Sequence, residues 1–343
     1  MIGLCVPLKK TNDVRLFLLD KGFLDNDYKI KTQDGFAFLG LTDDFNADVL
    51  VSLQKKFSSK IDIVVCDLEK IEHSPRSLSE YLEGRLSEEE IEDLKKSFDI
   101  IGDVVILEIP ESLRGHKRVI GEAALKITKR RSVFMKDSAV EGVVRTRRLE
   151  FLAGVDDSVT VHREHGARLF LDVRGVYFSP RLASERKRVV DQVVDGEFIL
   201  DMFAGVGPFP ILIARERVVD IIAIDINECA VHYMKESIEH NKLKGRITPI
   251  LGDSDEYLRN NSLQVDRVIM NLPGLAYKFL NQAINSLKPN GILHYYEFYK
   301  DDTRAIERIH EAAKNREVTI LNTRKVKSTK PGEWHIVVDA KIN

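Results

Sequence analysis

Four parts of the sequence carry glycine, acidic and amide residues whose types and spacing suit the binding of a polar ligand. In chain order they are the segment Asp201-Met202-Phe203-Ala204-Gly205-Val206-Gly207 and the single residues Asp225, Asp253 and Asn271. Because glycine has no side chain, Gly205 and Gly207 allow a ligand to approach the backbone closely. No Gly-Lys-Ser or Gly-Lys-Thr sequence follows, which disfavours a nucleoside triphosphate. Taken alone, this segment is also compatible with a tight turn that binds nothing.

Two of the carboxylates suit the polar groups of a nucleoside. Asp225 can accept hydrogen bonds from both hydroxyls of a ribose, and Asp253 can accept one from the amino group of an adenine. The alternatives are an acid in solvent at a strand end for Asp225, and a helix cap or turn residue for Asp253. Together with the glycines, the two carboxylates favour a cofactor that contains adenosine.

These residues lie in a region, from about residue 195 onward, where apolar strands alternate with helices. The predicted strands span 197–203, 219–224, 247–251, 265–270 and 291–296. Pro208 suits the first turn of one helix, and Asn227 suits the cap of another. The late apolar runs 318–321 and 334–340 predict a closing hairpin. This alternation predicts a doubly wound, mostly parallel α/β sheet, and ligands bind such sheets beyond the carboxyl ends of the strands.

The bulk composition is that of a folded protein with more than one domain. The chain has 343 residues, 43% of them hydrophobic and 31% charged, and no run of about 18 uncharged apolar residues predicts a membrane span. Charge follows the apolar residues at the N-terminus, which is the wrong order for a secretory signal. Cys5, Cys66 and Cys229 show no metal-ligand spacing, so we expect no metal site and a reducing cytoplasmic location.

The region before residue 173 divides into two smaller α+β parts. Residues 1–65 combine a helical pattern over 13–22 with short alternating runs such as 35–39. Residues 70–172 begin with a polar linker and continue with an acidic helix over 87–98 and a strand-like run over 101–109. The predicted domains are therefore 1–65, 70–172 and 173–343.

A basic segment lies between Leu113 and Arg148. It contains eleven Lys and Arg against three acids, a net charge of +8, although the whole chain has a net charge of only −2. A local patch of this kind is sufficient to bind phosphates. The alternative is a charged surface that only contacts solvent.

Several motifs together resemble a known family of enzymes. Asp-Met-Phe-Ala-Gly-Val-Gly-Pro-Phe, Ile-Asp-Ile-Asn, Gly-Asp and Asn-Leu-Pro are similar to the motifs of class I S-adenosylmethionine methyltransferases. With Val-Arg-Thr-Arg-Arg-Leu-Glu at 144–150 and Tyr-Phe-Ser-Pro-Arg-Leu-Ala-Ser-Glu-Arg at 177–186, the chain resembles the archaeal and eukaryotic tRNA (guanine-37 N-1) methyltransferases. The resemblance implies a Rossmann-like methyltransferase domain preceded by two smaller domains, the first of them small and tRNA-binding.

The resemblance implies S-adenosyl-L-methionine as cofactor and a set of residues around it. These are Tyr177, Arg181, Arg186, Asp201, Phe203, Ala204, Gly205, Gly207, Asp225, Ile226, Asp253, Ser254 and Asn271. Within the set, Arg181 or Arg186 is expected to pair with the carboxylate of the cofactor, and Tyr177 to pack beside it.

The resemblance also implies how N-1 of guanine is methylated. This nitrogen carries a proton that must leave as the methyl group arrives, so a carboxylate in hydrogen-bond reach can act as general base. The resemblance places the base at Glu185, a cation for the developing charge on O-6 at Arg145, an orienting amide at Asn271 and a turn at Pro273. From the residues alone, Glu185 is also compatible with a helical ion pair, Arg145 with a phosphate contact and Asn271 with a simple turn.

The expected partner is tRNA, bound by a monomer. The target base must leave its stack to be modified, the basic segment would bind the anticodon stem-loop, and the N-terminal domain would bind the elbow. Three other functions remain open. They are transfer of the aminocarboxypropyl group of the same cofactor to a wyosine precursor in tRNA, methylation of such a precursor, and non-catalytic tRNA binding.

Overall fold

The computed structural model describes residues 1–71, 75, 77–95, 97–138 and 147–343. The chain separates into two compact units, Met1–Arg76 and Ser77–Asn343. Within the described residues, none of the helices combines the length and apolar character that a membrane span requires.

The first unit is a four-stranded antiparallel sheet with two helices. The strands are β1 (Ile2–Pro7), β2 (Lys31–Gln33), β3 (Phe36–Gly40) and β4 (Asp62–Val65), in the order β2-β3-β1-β4. The helices are α1 (Thr11–Asp20) and α2 (Ala47–Phe57). Leu4, Leu39, Leu18 and Leu53 meet in its core. The helix and the strand predicted over 13–22 and 35–39 are both present, with ends shifted by one or two residues.

The second unit begins with a mixed four-stranded sheet covered by helices. Its strands are β5 (Asp99–Ile101), β6 (Val104–Leu107), β7 (Ser132–Lys136) and β8 (Leu149–Gly154), in that order in the sheet. Its helices are α3 (Leu78–Leu82), α4 (Glu88–Asp93) and α5 (Lys117–Thr128), with a 3-10 turn at Glu111–His116.

Two predictions in this region are wrong in detail. The run 101–109 is not one strand, because the chain reverses at Gly102, where φ is +55° and an added Cβ would lie 2.2 Å from Oγ1 of Thr160. The acidic helix predicted over 87–98 ends at Asp93, because Leu94 adopts an extended conformation and is buried in the core. Both outcomes depend on tertiary packing that the local pattern does not contain.

The remainder of the second unit contains the large sheet. Its strands are β11 (Phe198–Asp201), β12 (Asp220–Asp225), β13 (Arg246–Leu251), β14 (Val265–Met270), β15 (Leu287–Tyr299), β16 (Val318–Lys330) and β17 (Glu333–Ile342). Around it lie a hairpin of β9 (Val159–Glu164) and β10 (Ala167–Asp172), and the helices α6 (Ala183–Gln192), α7 (Pro208–Glu216), α8 (Glu228–Glu239), α9 (Ser254–Asn260), α10 (Leu280–Asn285) and α11 (Thr303–Ala313).

The strand order β13-β12-β11-β14-β15-β17-β16 confirms the predicted doubly wound sheet and its closing hairpin. The first five strands are parallel, and β17 is antiparallel to both of its neighbours. Apolar side chains cover both faces of the sheet: Ile199 packs into one core and Leu200 into the other. The chain order reverses between β11 and β14, so the carboxyl ends of these strands form a topological switch point where ligands bind.

The β9–β10 hairpin packs beside this sheet. Ala167 and Leu169 belong to its core, and the amide of Phe170 donates to Oγ of Ser237 on α8 over 2.8 Å. The predicted boundary between residues 172 and 173 remains a prediction.

Candidate active site

A cavity of about 190 Å³ lies at the switch point, beyond the carboxyl ends of β11, β12 and β14. The predicted residues that line it are Tyr177, Arg186, Phe203, Ala204, Gly205, Asp225, Ile226, Asp253, Ser254, Asn271 and Pro273. The sheet therefore brings together side chains that are distant in sequence. Five predicted residues do not line it: Arg181, Glu185, Asp201 and Gly207 lie elsewhere, and Arg145 lies outside the described residues.

The glycine segment forms a turn that leads from β11 into α7. Gly205 and Gly207 have φ of +56° and +78°, in the left-handed region that favours glycine. A Cβ on Gly207 would lie 2.7 Å from Cγ of Met234, so this glycine shapes the turn without lining the cavity itself. Pro208 then occupies the first helical position, as predicted.

Asp225 is held at the wall of the cavity by two backbone amides. One carboxylate oxygen accepts the N–H of Gly205 over 2.6 Å and the other accepts the N–H of Asn227 over 2.9 Å. Burial raises the pKa of Asp225, and these hydrogen bonds oppose that effect. Each carboxylate oxygen has two lone pairs, so the geometry leaves acceptor capacity for ligand hydroxyls.

Asp253 caps α9 and also lines the cavity. Its Oδ1 accepts the amides of Asp255 over 2.8 Å and Glu256 over 3.1 Å, so the capping alternative is realised. Both bonds end on the same oxygen. The next residue, Ser254, donates its hydroxyl to the carbonyl of Met202 and joins α9 to the glycine segment. Capping and a ligand contact are thus compatible at Asp253.

Asp201 lies beneath the cavity, at the end of β11. It is buried, its Oδ1 accepts the amide of Phe203 over 3.2 Å, and its Oδ2 has no hydrogen-bond partner among the described residues. Burial raises the pKa of this carboxyl to about 8, and the charge of Asp225 adds to the shift. An acid so placed is protonated at neutral pH until a positively charged group reaches it.

Both arginines that were predicted to bind the cofactor carboxylate have carboxylate partners within the protein. Arg186 is buried, pairs with Glu164 at 2.6 Å through Nε, and donates to the carbonyl of Ser179 over 3.1 Å. Arg181 donates to Asp99 over 2.6 Å and lies in a neighbouring cleft. Their roles toward a cofactor stay predictions, and of the two only Arg186 lines the cavity.

Glu185 lies behind the cavity wall rather than in the cavity. It is 1% exposed in the first turn of α6, where Leu182 and Arg186 line the cavity on either side of it. Its carboxylate accepts the hydroxyl of Tyr296 over 2.7 Å, and Nη2 and Nε of Arg188 over 2.7 and 3.0 Å. The helical ion pair is therefore present. Its role as a base stays a prediction, as does that of Arg145, which lies outside the described residues.

Part of the cavity wall is aromatic, and these residues were not predicted from the sequence. His335 on β17 and Phe298 on β15 line the cavity, with ring centroids 5.3 Å apart, and Phe279 also lines it. His335 is buried and also contacts Tyr296 at 5.4 Å. In the sequence, His335 is marked only as a histidine within an apolar strand. It reaches the site because β17 pairs with β15, which places it opposite Phe298.

A second cleft, of about 720 Å³, adjoins the cavity. The two share the wall formed by Val176, Tyr177, Phe178, Ser179 and Phe298. The basic residues that line the cleft are Arg114, Lys136, Arg147, Arg181 and Lys327, and the acids are Asp99, Glu108 and Asp137. Part of the predicted basic segment therefore faces a space that opens beside this cavity.

Comparison with known proteins identifies the relatives of this fold and site. Residues 160–321 match the TRM5/TYW2 methyltransferase domain, residues 78–158 the TYW2 N-terminal domain and residues 3–49 the tRNA methyltransferase 5 N-terminal domain. The tRNA (guanine(37)-N(1))-methyltransferase Trm5b of Pyrococcus abyssi is 40% identical, over 98% of both chains. The chain belongs to the TRM5/TYW2 methyltransferase family.

Solved members of the TRM5/TYW2 family share the whole fold. A complex of aTrm5 with tRNALeu is similar with a TM-score of 0.87 and 36% identity, covering 100% of both chains. Trm5 of Methanocaldococcus jannaschii in complex with adenosine gives a TM-score of 0.67 and 34% identity, covering 100% of this chain and 99% of that one. The predicted class I methyltransferase architecture is thereby confirmed.

The family also contains shorter enzymes with another activity. A tRNA(Phe) (4-demethylwyosine(37)-C(7)) aminocarboxypropyltransferase of Methanocaldococcus jannaschii is 34% identical. The match covers 96% of that enzyme but only 71% of this chain. This chain therefore matches the archaeal Trm5b enzymes over nearly the whole length of both chains, and the aminocarboxypropyltransferase over only part of its own length.

Proposed function

We propose that this protein transfers a methyl group from S-adenosyl-L-methionine to N-1 of guanosine 37 in tRNA, giving 1-methylguanosine. The observation that carries the proposal is the arrangement of the site: the cavity that holds Asp225 shares a wall with a cleft lined by basic residues. Full-length similarity to a guanine-37 methyltransferase supports the same function and disfavours the aminocarboxypropyl and wyosine-precursor reactions.

The cofactor is S-adenosyl-L-methionine, which supplies the methyl group from its sulfonium. The residues present fit it. Asp225 would accept the ribose hydroxyls and Asp253 the adenine amine. The buried carboxyl of Asp201, with its unpartnered oxygen, would meet the positively charged amino group at the far end of the cofactor.

Removal of the N-1 proton requires a base beside the cavity, and we assign it to Glu185. Arg186 on α6 and Leu182, the residue just before this helix, line the cavity on either side of Glu185 in the sequence, so the carboxylate would lie next to the target base. Asn271 and Pro273 lie in the cavity wall after β14, where the amide can orient the base or the guanine. Arg145 would stabilise the charge that develops on O-6.

The cleft would receive the target nucleotide and its neighbours. Guanosine 37 must leave its stack to reach the methyl group, and basic side chains would bind the flanking phosphates of the anticodon stem-loop. We further propose that residues 1–65 bind the tRNA elbow and that the protein acts as a monomer in the cytoplasm.

Nucleoside mass analysis tests the proposal. Unmodified tRNA with guanosine at position 37 should gain the mass of one methyl group after incubation with the protein and S-adenosylmethionine. The same tRNA with adenosine at that position is the matched control and should gain nothing. Gain of the aminocarboxypropyl mass, or methylation that occurs only on a wyosine precursor, would replace the proposal with one of the alternatives.

A further inference from the structure

A chain of buried charges begins at Glu185 and crosses the sheet. Arg188, one turn further along α6, binds both oxygens of Glu185. The same guanidinium binds both oxygens of Asp339 on β17, with Nη2 lying 3.1 Å from Oδ1. Both carboxylates are 1% exposed. One guanidinium thus joins two buried carboxylates that lie 154 residues apart in the sequence.

The far end of this chain holds Asp339 in place. Nδ1 of His294 lies 2.6 Å from Oδ1 of Asp339, and Nη1 of Arg267 lies 2.7 Å from Nε2 of the same histidine. Because arginine only donates, Nε2 must accept, and the proton of a neutral His294 is on Nδ1. Burial lowers the pKa of His294, against the opposing effect of Asp339. Glu197 in turn pairs with Arg267 at 2.7 Å and forms the last link of the chain.

Burial alone would work against a base at Glu185. A carboxylate that is removed from water without a partner takes up a proton, and a protonated carboxyl cannot accept another. The groups that face Glu185 are Arg188 on α6, Tyr296 on β15 and Arg324 on β16, whose Nη1 is 3.9 Å away. Arg188 provides two of the three charge-assisted bonds to Glu185 and Tyr296 provides the third, and together they restrict Glu185 to one orientation.

We propose that Arg188, held by Asp339, is a positioning residue that keeps Glu185 ionised and correctly oriented for removal of the N-1 proton. The inference rests on the proposed function, in which Glu185 is the base. A buried ion pair is weak evidence for stability, since apolar residues of similar volume are often as stable. Desolvation of these charges costs free energy, and the role that we assign to them is to maintain an ionised carboxylate beside the cavity.

A double-mutant cycle tests this inference by single-turnover methylation at saturating cofactor and tRNA. The variants are Glu185→Gln, Arg188→Gln and the combination of both. Arg188→Gln should lower the rate by about 10- to 100-fold, less than the about 10²–10⁴-fold that a general base contributes. Its rate should also reach a plateau at a higher pH than the wild-type rate. In the Glu185→Gln background the same substitution should have little further effect, because the carboxylate it serves is absent.

Three further variants supply a control, a conservative replacement of Arg188 and a second way to disturb the same chain of charges. Lys187→Gln is the matched control, since Lys187 lies on the same helix but pairs with Glu216 and Asp191, and its rate should be unchanged. Arg188→Lys should restore part of the rate. Asp339→Asn keeps the shape of Asp339 and should slow the reaction only when Glu185 is present. Calorimetry with S-adenosylmethionine and thermal melting establish that each variant is folded.

The outcomes separate the inference from the function on which it rests. Equal slowing by Arg188→Gln in both backgrounds would overturn the positioning role and leave a structural one. A near-wild-type rate for Glu185→Gln would instead refute the assignment of the base, and the inference with it. If Arg188→Gln does not fold, the cycle between Asp339→Asn and Glu185→Gln decides by the same criterion.

Discussion

The hydroxyl of Tyr296 on β15 donates a hydrogen bond of 2.7 Å to Oε1 of Glu185 on α6. Burial raises the pKa of Tyr296 well above its usual value, and the negative charge of Glu185 adds to the shift. The phenol therefore stays protonated across the physiological range and remains a donor. This bond links the carboxylate to the strand that also carries Phe298 of the cavity wall.

Tyr296→Phe should slow single-turnover methylation, because it removes one of the bonds that orient Glu185. The substitution should also lower the free energy of unfolding by about 1.5–3 kcal/mol, the range for a hydrogen bond to a charged group. Tyr295→Phe is the matched control, since its hydroxyl donates to another buried carboxylate, Glu297, over 2.8 Å. Urea unfolding should show similar losses for both variants. A similar loss of rate in both would argue against a specific role for Tyr296.

Asp225→Ala should weaken binding of S-adenosylmethionine by tenfold or more, measured by calorimetry. Loss of two charge-assisted bonds to the ribose corresponds to roughly 2–4 kcal/mol. Asp220→Ala is the control, because Asp220 begins the same strand but is exposed and pairs with Arg246. Unchanged affinity in Asp225→Ala would refute the ribose assignment.

Asp201→Asn should change how stability depends on pH in the absence of cofactor. The pKa of Asp201 is raised by burial from 3.8 to about 8, so between these values the folded state binds a proton that the unfolded state releases. The stabilisation from this group is complete below about pH 4 and is lost as the pH rises to about 8. In this range the contribution of Asp201 to the free energy of unfolding should fall by at most about 1.4 kcal/mol per pH unit.

The asparagine variant does not titrate, so its stability relative to wild type should increase from pH 5 to pH 8. Urea unfolding of both proteins at pH 5, 6, 7 and 8 measures the difference. A difference that is constant with pH would show that Asp201 is ionised in the folded protein throughout this range.

Deletion of residues 1–76 should leave cofactor binding intact and preserve methylation at saturating tRNA. Among the described residues, the hydrophobic cores of the two compact units share no side chain, so the second unit retains its own packing. Affinity for tRNA, measured by filter binding, should fall. If the deletion variant is folded and binds cofactor but has no single-turnover activity, the first unit contributes to chemistry and the modular interpretation is wrong.

The sequence by itself determined the sheet, the glycine turn and the carboxylates at the strand ends. Each of these depends on local physical rules. Strands that are apolar on both faces must be buried in a parallel sheet, and Gly205 and Gly207 supply the positive φ that other residues avoid. Asp225 is the last residue of its strand, so its place at the cavity is a consequence of the strand itself.

Only the tertiary structure decided the surroundings of Glu185. Arg188 is a neighbour on the helix, but 111 residues separate Glu185 from Tyr296, and 151 separate Arg188 from Asp339. His335 reaches the cavity only because β17 pairs with β15. A hydrogen bond between distant segments leaves no local pattern, because each partner alone is an ordinary polar residue of a helix or strand. The partners of buried charges are therefore set by strand pairing and packing, which the sequence encodes only through the whole fold.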